Sequence, residues 1–368
     1  MSVYNVDGDK IIDTDNYSLP KCDFLPSIKY HFNETQGLNT WTTYNNYDNF
    51  VLAHISDLHN DPTRYDRFMH FLNDNKIYID AGIVTGDLVD VSTVSAFAEM
   101  TAKETYNIDL IKCIGNHEKA NSGNPLTDVQ IYANWNQTTN TGKLYFYKDY
   151  TSKKIRLICL DVYDPVTGDN HYQQTQIEWF IDTLKDAKTK GYTVIVARHN
   201  VEGGYTNLAS NNKGFFQRWY QWAEIESMYN RGTIIEDIID AFKNGTSLNQ
   251  TYTFTDSTPS ITIDTAFSGN GDFACYLCGH YHGDFVGYSV AHPNQLYLSI
   301  AQGCLRSSIR PSVMWEAVSD LPRIEGEKSE DLFNVYGFDT VNKVIKVYRV
   351  GSDVNDILEE RKFATYTW

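Results

Sequence analysis

Residues 50–59 read FVLAHISDLH, an apolar run that leads directly into a short polar stretch. The run at 50–55 is almost entirely apolar, which is typical of a strand buried on both faces. Asp57 and His59 follow at once, two positions apart. Residues at i and i+2 on extended backbone can point to the same side. The stretch therefore predicts a buried strand whose end presents an aspartate and a histidine to one site.

Similar β-rich runs recur along the chain, and helical patterns lie between them. The further runs lie at residues 81–85, 109–114, 154–160, 193–197, 274–278 and 296–301. One amphipathic helix is predicted from Pro62 to Lys76. A second follows Thr175, because Thr175 and Glu178 have the spacing of a capping box and Gly191 marks an end. The alternation of strands and helices predicts an α/β fold.

Polar side chains follow five of these strands. They are Asp57 and His59, Asp87 and Asp90, Asn116 and His117, His199, and finally His280 and His282. Ligands in open α/β sheets bind beyond the carboxyl ends of the strands, so residues far apart in sequence can converge there. Carboxylate, amide and imidazole groups suit divalent first-row metals. Asp87 is the best candidate to bridge two ions with its two oxygen atoms.

The ordered set DLH, GDLVD, GNHE, a lone histidine after a strand, and GHYH resembles the calcineurin-like metallophosphoesterase superfamily. Each motif alone is weakly specific, whereas all five in this order are highly specific. The resemblance covers residues 50–300, roughly, which is most of the chain. It implies an α/β fold of the metallophosphoesterase type, a β-sandwich of two mixed sheets flanked by helices with the metals at one end.

The resemblance also implies a role for each motif residue. The first metal ion would be held by Asp57, His59 and His282, the second by Asn116, His199 and His280, and Asp87 would bridge them. The ions would be divalent Mn, Fe, Zn, Ni or Co. A hydroxide bridging them would attack the phosphate ester, and no serine or cysteine nucleophile is needed. His117 would assist the leaving group and Asp90 would orient it.

Simpler interpretations of single residues stay open. Asp90 either orients His117 or caps the helix that begins near Ser92. Glu118 is expected to accept hydrogen bonds from nearby backbone. Cys275 and Cys278 could form a redox pair or half a zinc site, but no second CxxC exists and the segment is predicted as a strand, so they are expected to be small buried residues.

The substrate is less well defined than the metal site. Phosphoprotein phosphatases of this superfamily carry an arginine directly after the second aspartate of the GDxxD motif, where this chain has Val91. No tyrosine lies in GDLVDVS, which sets the purple acid phosphatases aside. Both phosphodiesters and phosphomonoesters remain, with a slight preference for diesters. Candidate substrate-binding residues are Asn200, Arg306, Arg310 and Tyr163, whereas Arg198 should face away from its neighbour His199.

Three domain segments are predicted. Residues 1–48 form a polar N-terminal arm, and residues 49–310 form the metallophosphoesterase core. The core includes an aromatic-rich insertion near 200–272, whose run at 215–222 either packs on the core or stacks on a sugar or base. Residues 311–368 form a C-terminal segment in which a β-hairpin, built from alternating runs at 332–338 and 343–350, completes the sandwich.

Composition narrows the function further. The chain has 368 residues, 42% of them hydrophobic, and a net charge of -16. It contains no uninterrupted apolar stretch of about 18 residues and no signal-like N-terminus, so we expect a cytoplasmic protein without a membrane span. Association with a virion or cell surface stays compatible with the sequence, and the oligomeric state is undefined. The acidic balance disfavours general nucleic-acid binding and favours a small phosphate-ester substrate.

Two alternatives to an esterase acting on small substrates remain. The first is a nuclease, in which the metals and local arginines would override the acidic balance. The second is a non-catalytic metal-binding module of an assembly, such as a surface or virion component, which the polar arm suggests. Hydrolysis of chromogenic esters separates the second alternative from an enzyme.

Overall fold

The computed structural model describes most of the predicted core. The described residues are 2–4, 10–13, 49–119, 126–163, 171–202, 205–207, 233–254, 258–280, 285–299, 331–351 and 363–368. The predicted residues His282, Arg306 and Arg310 lie outside these ranges, as does the aromatic run at 215–222.

The strands of the structure coincide with all seven predicted β-rich runs and with the predicted hairpin, and they include others that the sequence pattern did not predict. They are β1 (Ser2–Tyr4), β2 (Lys10–Asp13), β3 (Phe50–Ile55), β4 (Ala81–Thr85), β5 (Leu110–Cys113), β6 (Phe146–Tyr150), β7 (Ile155–Cys159), β8 (Thr193–Ala197), β9 (Tyr205–Asn207), β10 (Ser247–Tyr252), β11 (Ile261–Ala266), β12 (Asp272–Cys278), β13 (Phe285–Ser289), β14 (Leu296–Ser299), β15 (Leu332–Asp339), β16 (Val344–Gly351) and β17 (Phe363–Thr367).

Helices occupy the connections between strands. They are α1 (Pro62–Asp74), α2 (Val94–Thr101), α3 (Asn116–Lys119), α4 (Asp128–Asn134), α5 (Gln174–Lys190) and α6 (Ile234–Asn244), with a short 3₁₀ turn at Thr151–Lys153. None of the helices that the structure describes is both long enough and apolar enough to cross a membrane.

Two large mixed sheets carry the fold. One has the strand order β17-β16-β15-β3-β4-β5, and its strands β3, β4 and β5 run parallel. The other has the order β6-β7-β8-β12-β14-β13-β9, and its strands β7, β8, β12 and β14 run parallel. Parallel neighbours bring their carboxyl ends to a common edge in each sheet. The two pairs β1-β2 and β10-β11 form separate small sheets.

The core lies in two layers because alternate residues of each strand face opposite sides. Phe50 and Leu52 of β3 belong to the apolar layer that also contains Ile195 and Ala197 of β8, so this layer joins the two sheets. Intervening residues such as Val51 belong to the larger cluster that includes the helices. The predicted β-sandwich of two mixed sheets flanked by helices is therefore confirmed.

The described cysteines belong to this core. Cys113, Cys159, Cys275 and Cys278 are all buried and free. The prediction that Cys275 and Cys278 are small buried residues is confirmed.

The helix ends show where local sequence signals succeed and fail. Gly191 ends α5 in the left-handed conformation, as predicted. The capping box predicted at Thr175 and Glu178 is wrong, because α5 begins at Gln174 and its cap residue Gln173 makes no side-chain capping bond. A capping box forms instead at Thr127 and Gln130, at the start of α4.

The C-terminal hairpin is present as predicted. Strands β15 and β16 pair in antiparallel register, with Asp339 opposite Val344 at the turn. Strand β15 also pairs with β3, so the hairpin extends the sheet that begins with FVLAHI. Strand β17, which the sequence pattern did not predict, adds the outermost strand.

Candidate metal centre

The five polar strand ends converge as the topology requires. Because β3, β4 and β5 are parallel in one sheet and β8 and β12 are parallel in the other, their carboxyl ends meet at one end of the sandwich. The clearest sign is a contact across 223 positions, in which the backbone N–H of His280 donates to both carboxylate oxygens of Asp57 at 3.0 Å.

One group of potential ligands contains Asp57, His59 and Asp87. Their ligand atoms lie within 4.8 Å of one another. His59 Nε2 is 4.0 Å from Asp57 Oδ1 and 3.7 Å from Asp87 Oδ2. All three residues are buried. Two of the three residues predicted for the first site, Asp57 and His59, therefore lie beside the predicted bridging residue Asp87. The third, His282, lies outside the described residues.

A second group contains Asp87, His199 and His280, again within 4.8 Å. His199 Nε2 is 3.1 Å from Asp87 Oδ2. The side-chain oxygen of Asn116 joins this group, because it lies 3.1 Å from both His199 Nε2 and His280 Nδ1. The structure therefore brings all three residues predicted for the second site beside Asp87, which is common to both groups.

Asp87 has the environment expected of a bridging ligand. Its Oδ1 accepts a hydrogen bond from the His117 backbone N–H at 3.0 Å. Its Oδ2 is buried and accepts no hydrogen bond from the described residues, although imidazole nitrogens of His199, His59 and His117 lie 3.1, 3.7 and 3.9 Å away. A buried anionic oxygen needs a compensating positive group. The oxygen and nitrogen donors around Asp87 fit divalent cations.

The backbone at the centre is strained in a consistent way. Asp57, His59, Asp87 and His280 all have positive φ, at 56°, 47°, 51° and 71°. Residues other than glycine rarely adopt this region, and such strain clusters at functional sites. The extended backbone predicted for Asp57 and His59 is therefore wrong, because left-handed turns shortly after the strands aim these side chains at their neighbours.

Close backbone approach explains two of the motif glycines. A Cβ atom on Gly115 would collide with the Asp87 backbone nitrogen and carboxylate, and one on Gly279 would collide with Ser56 and Asp57. A larger residue at Gly115 would displace the loop that carries Asp87, and a larger residue at Gly279 would displace the loop that carries Asp57.

Glu118 holds two of these loops together. Its Oε2 accepts hydrogen bonds from the backbone N–H groups of Gly115 at 2.6 Å and Asp87 at 3.0 Å, and its Oε1 accepts one from Val89 at 3.0 Å. The prediction that Glu118 accepts backbone hydrogen bonds is confirmed. Burial and the nearby negative charge of Asp87 raise the pKa of Glu118 to about 7.

A hydrogen bond to a backbone carbonyl determines which imidazole nitrogen of His199 faces the cluster. His199 Nδ1 lies 2.6 Å from the Thr85 carbonyl oxygen, so Nδ1 donates and Nε2 faces Asp87. The sequence did not single out Thr85, since a backbone carbonyl leaves no mark on residue type. Burial alone would lower the pKa of His199, but the carboxylates of Asp87 and Asp57 raise it to about 10. A field that retains this positive charge also attracts a metal cation.

His117 and Asp90 lie together at the edge of the cluster. His117 Nδ1 donates to the backbone carbonyl of Asp90 at 2.8 Å, while the Asp90 carboxylate is 3.4 Å away. The same carboxylate lies 3.4 Å from His59 Nδ1. The alternative that Asp90 caps the next helix is wrong, because Thr93 caps α2 and accepts from the Ala96 N–H.

The predicted substrate residues Tyr163 and Asn200 are both buried, and the Tyr163 hydroxyl donates to the Asn200 side-chain oxygen. Arg198 faces away from His199, as predicted, and donates to the hydroxyls of Tyr172 and Tyr297. Sequence reasoning missed Lys119. This buried residue ends α3, and its ammonium lies 3.0 Å from Asp161. Its position directly after GNHE was the only signal available.

Comparisons with known proteins agree with this geometry. The family model described as calcineurin-like phosphoesterase matches residues 50–284. A crystal structure of a dimetal phosphatase from Danio rerio aligns with 87% of this chain and 99% of its own, with 11% identity and a TM-score of 0.53. No curated protein sequence matches the chain.

Two further solved structures align with lower TM-scores. A conserved protein from Streptococcus pneumoniae, named as a predicted phosphoesterase, has 10% identity and a TM-score of 0.31, covering 87% of this chain and 98% of its own. The anchor protein of the inner membrane complex of Plasmodium has 10% identity and a TM-score of 0.41, covering 86% and 88%.

Proposed function

Since the chain belongs to the calcineurin-like phosphoesterase family, we propose that it hydrolyses phosphate esters at the metal centre formed by its strand ends. One observation carries the proposal, namely that two groups of potential ligands share the buried carboxylate of Asp87. We assign Asp57, His59 and His282 to one divalent ion, Asn116, His199 and His280 to a second, and Asp87 to both.

Each residue has a defined task in this scheme. Two divalent cations would supply Lewis acidity toward the phosphoryl oxygens and would lower the pKa of an attacking water molecule. The Thr85 carbonyl keeps His199 in the tautomer whose Nε2 faces the centre. The Asp90 carbonyl accepts a hydrogen bond from His117 Nδ1, so His117 Nε2 is turned toward the cluster, and the imidazolium form of His117 can give its Nε2 proton to the leaving alkoxide and become the neutral imidazole.

We further propose a preference for phosphodiesters over phosphomonoesters. Val91 stands where an arginine would grip the additional charge of a monoester, and it is 42% exposed beside the Asp90 turn. A diester carries one negative charge less at its phosphate and has less need of that arginine.

The test begins with metal content and hydrolysis of p-nitrophenyl phosphate and bis-p-nitrophenyl phosphate with Mn²⁺. Asp87→Asn removes the shared charge, and we expect it to lower kcat/KM by about 10³-fold or more, as for loss of a major electrostatic group. The exposed residue Asp182 on α5 offers a matched control, and Asp182→Asn should retain full activity.

Three results would contradict the proposal at different levels. If the wild type hydrolyses neither ester with any first-row metal, the result would favour the alternative that the protein is a non-catalytic metal-binding module. Unchanged activity of Asp87→Asn would overturn the site assignment. Hydrolysis of the monoester alone would overturn the preference for diesters.

The role of His117 predicts a dependence on the leaving group. We expect His117→Asn to lower kcat about 10²–10⁴-fold for esters of aliphatic alcohols, whose alkoxides need a proton. The loss should be much smaller for p-nitrophenyl esters, whose leaving group departs as a stable anion. An equal loss for both leaving groups would assign His117 to another role.

A further inference from the structure

A cavity of about 540 Å³ lies between the start of α4, the start of α5 and the loop after β7. Residues that line it include Asp128, Tyr132, Tyr145, Asp161, Tyr163 and Thr175. Its volume is in the range that holds small organic ligands. Of its lining, only Tyr163 was among the residues that the sequence connected with substrate.

Two contacts connect the wall of this cavity to the metal centre. Lys119, at the end of the helix that begins with Asn116 and His117, lies 3.0 Å from the Asp161 carboxylate. Tyr163 donates its hydroxyl hydrogen to Asn200, which directly follows His199. The cavity wall is thus joined to two of the chain segments that present potential ligands of the second ion, those of Asn116 and His199.

The charges around the cavity are balanced within the protein. Lys119 lies 2.8 Å from Asp128 as well as 3.0 Å from Asp161, and Lys143 adds a second positive charge to the lining. Two lysines therefore offset two aspartates. A cationic ligand would have to compete with Lys119, and a second phosphate would meet both carboxylates, so a neutral ligand fits best.

The remaining lining suits a ligand with many hydroxyl groups. Three tyrosines provide ring faces and hydroxyls, and Gln173 and Thr175 provide further donors and acceptors. The ring of Tyr145 is supported from behind by Trp179, with ring centroids 4.9 Å apart. Amphipathic rings beside polar groups match the alternating apolar and hydroxyl surfaces of a sugar or polyol.

We infer that this cavity receives the sugar or polyol portion of the phosphate ester cleaved at the metal centre. The inference rests on the proposed function, because it makes the cavity the site of the alcohol group next to the reacting phosphate. It names a neutral, hydroxyl-rich alcohol as the substrate class and assigns Tyr145, Tyr163 and Thr175 to its recognition.

Val129 offers a way to fill the cavity without disturbing the core. It lines the cavity from the first turn of α4 and is 79% exposed. Val129→Trp should raise KM for sugar and polyol phosphates about tenfold or more, a change of about 1.4 kcal/mol in binding, while kcat changes little. Val341→Trp, at a 58% exposed position in the β15–β16 turn, is the matched control.

Binding can be measured independently of catalysis. In saturation-transfer NMR with EDTA-treated protein, methyl riboside, glucose, inositol and glycerol serve as neutral probes, and choline and inorganic phosphate serve as charged ones. We expect a signal from at least one neutral probe with the wild type and Val341→Trp, and none with Val129→Trp. Binding of only the charged probes, or a neutral signal and KM unaffected by Val129→Trp, would overturn the inference.

The two proposals fail in different ways. If the wild type does not hydrolyse p-nitrophenyl esters, the proposed function fails, and with it the substrate role of the cavity. If the wild type hydrolyses them but Val129→Trp leaves KM for every sugar phosphate unchanged, only the inference about the cavity fails.

Discussion

Two buried polar clusters lie on opposite faces of the chain at the end of β8, and they compensate charge in different ways. His199 continues the face of Ile195 and Ala197, which lie between the sheets, and enters the cluster around Asp87. Arg198 is fully buried on the other face, beneath the helix layer. Adjacent residues on one strand end thus serve two sites because side chains alternate.

The Arg198 cluster supplies its own counter-charges. The guanidinium donates to Tyr172 at 2.9 Å and Tyr297 at 2.6 Å, and it lies 3.3 Å from the Glu202 carboxylate. Glu202 in turn accepts from the backbone N–H groups of Ile235 and Glu236, at the start of α6. Burial still raises the pKa of Glu202 to about 7, although Arg198 opposes this.

The cluster around Asp87 differs in that imidazoles, not a guanidinium, are the described groups beside its shared carboxylate. It combines the buried carboxylates of Asp57, Asp87 and Glu118 with imidazoles, and its described part contains no arginine or lysine. Four of its residues hold strained backbone. The comparison teaches that a buried carboxylate beside a cationic side chain, as Glu202 lies beside Arg198, indicates structure, whereas a buried carboxylate surrounded by imidazoles, such as Asp87, fits an added metal cation.

The largest expected effect on stability comes from removing the positive charge of the Arg198 cluster. Arg198→Met leaves Glu202 without its positive partner and should lower the free energy of unfolding by about 3–5 kcal/mol. The loss should be the same in EDTA and in Mn²⁺, as measured by urea unfolding. The double variant with Glu202→Gln should recover part of the loss. Full recovery on adding Mn²⁺ would mean that the two clusters are not independent.

A smaller effect is expected for each single ion that fills the cluster around Asp87. Mn²⁺ at about 100 times its Kd should raise the free energy of unfolding of the wild type by about 2.7 kcal/mol for each site filled. Asp87→Asn should remove most of this gain, whereas Glu202→Gln should keep it. Thermal unfolding in matched EDTA and Mn²⁺ buffers measures the difference. A gain that survives in Asp87→Asn would place the bound ion elsewhere.

The smallest effect is expected from the partly exposed ion pair between His292 and Asp237. His292 Nε2 lies 2.6 Å from Asp237 Oδ1, and this hydrogen bond raises the His292 pKa above 6.5. The stabilisation is therefore fully present below about pH 6.5 and is lost as pH rises through the folded pKa of His292. It is also lost as pH falls through the pKa of Asp237. Burial alone would raise that pKa, but hydrogen bonding, including the bond with His292, lowers it below 3.8.

We expect His292→Gln to cost about 0.5 kcal/mol near pH 5.5, because the pair is partly solvated. The difference from the wild type should vanish at high pH, as measured by urea unfolding across the pH range. His70→Gln, a half-exposed histidine on α1, is the control. A difference that grows with pH would contradict the assigned sign.

The sequence predicted much of this arrangement because the informative residues are local. The run FVLAHI and the Asp57 and His59 that follow it define a strand and its end within ten residues. The ordered set of five such strand ends carries the resemblance to the metallophosphoesterase superfamily, and that resemblance implied the two sheets. The assignment of individual ligands stays a prediction, although the structure brings all the described ones together.

Other features depend on contacts that no local pattern records. The capping box at Thr175 failed because α5 begins one residue earlier, where the chain enters the helix from Gln173. The carbonyls that orient His117 and His199 belong to backbone, and backbone is the same at every position. Lys119 was overlooked because a lysine in sequence suggests solvent, whereas here Asp161 and Asp128 allow it to be buried.

The pairing of β3 with β15 bears on when the centre can form during synthesis of the chain. Strand β3 ends at Asp57's loop, yet its antiparallel neighbour begins only at Leu332, and Asp57 meets His280 across 223 positions. Such non-local closure carries a large loop entropy and slows folding. A chain emerging from the ribosome would hold the aspartates of β3 and β4 long before the histidines that complete the centre. In the proposed scheme, metal capture would therefore be a late event in folding, and it would report that the whole sandwich has closed.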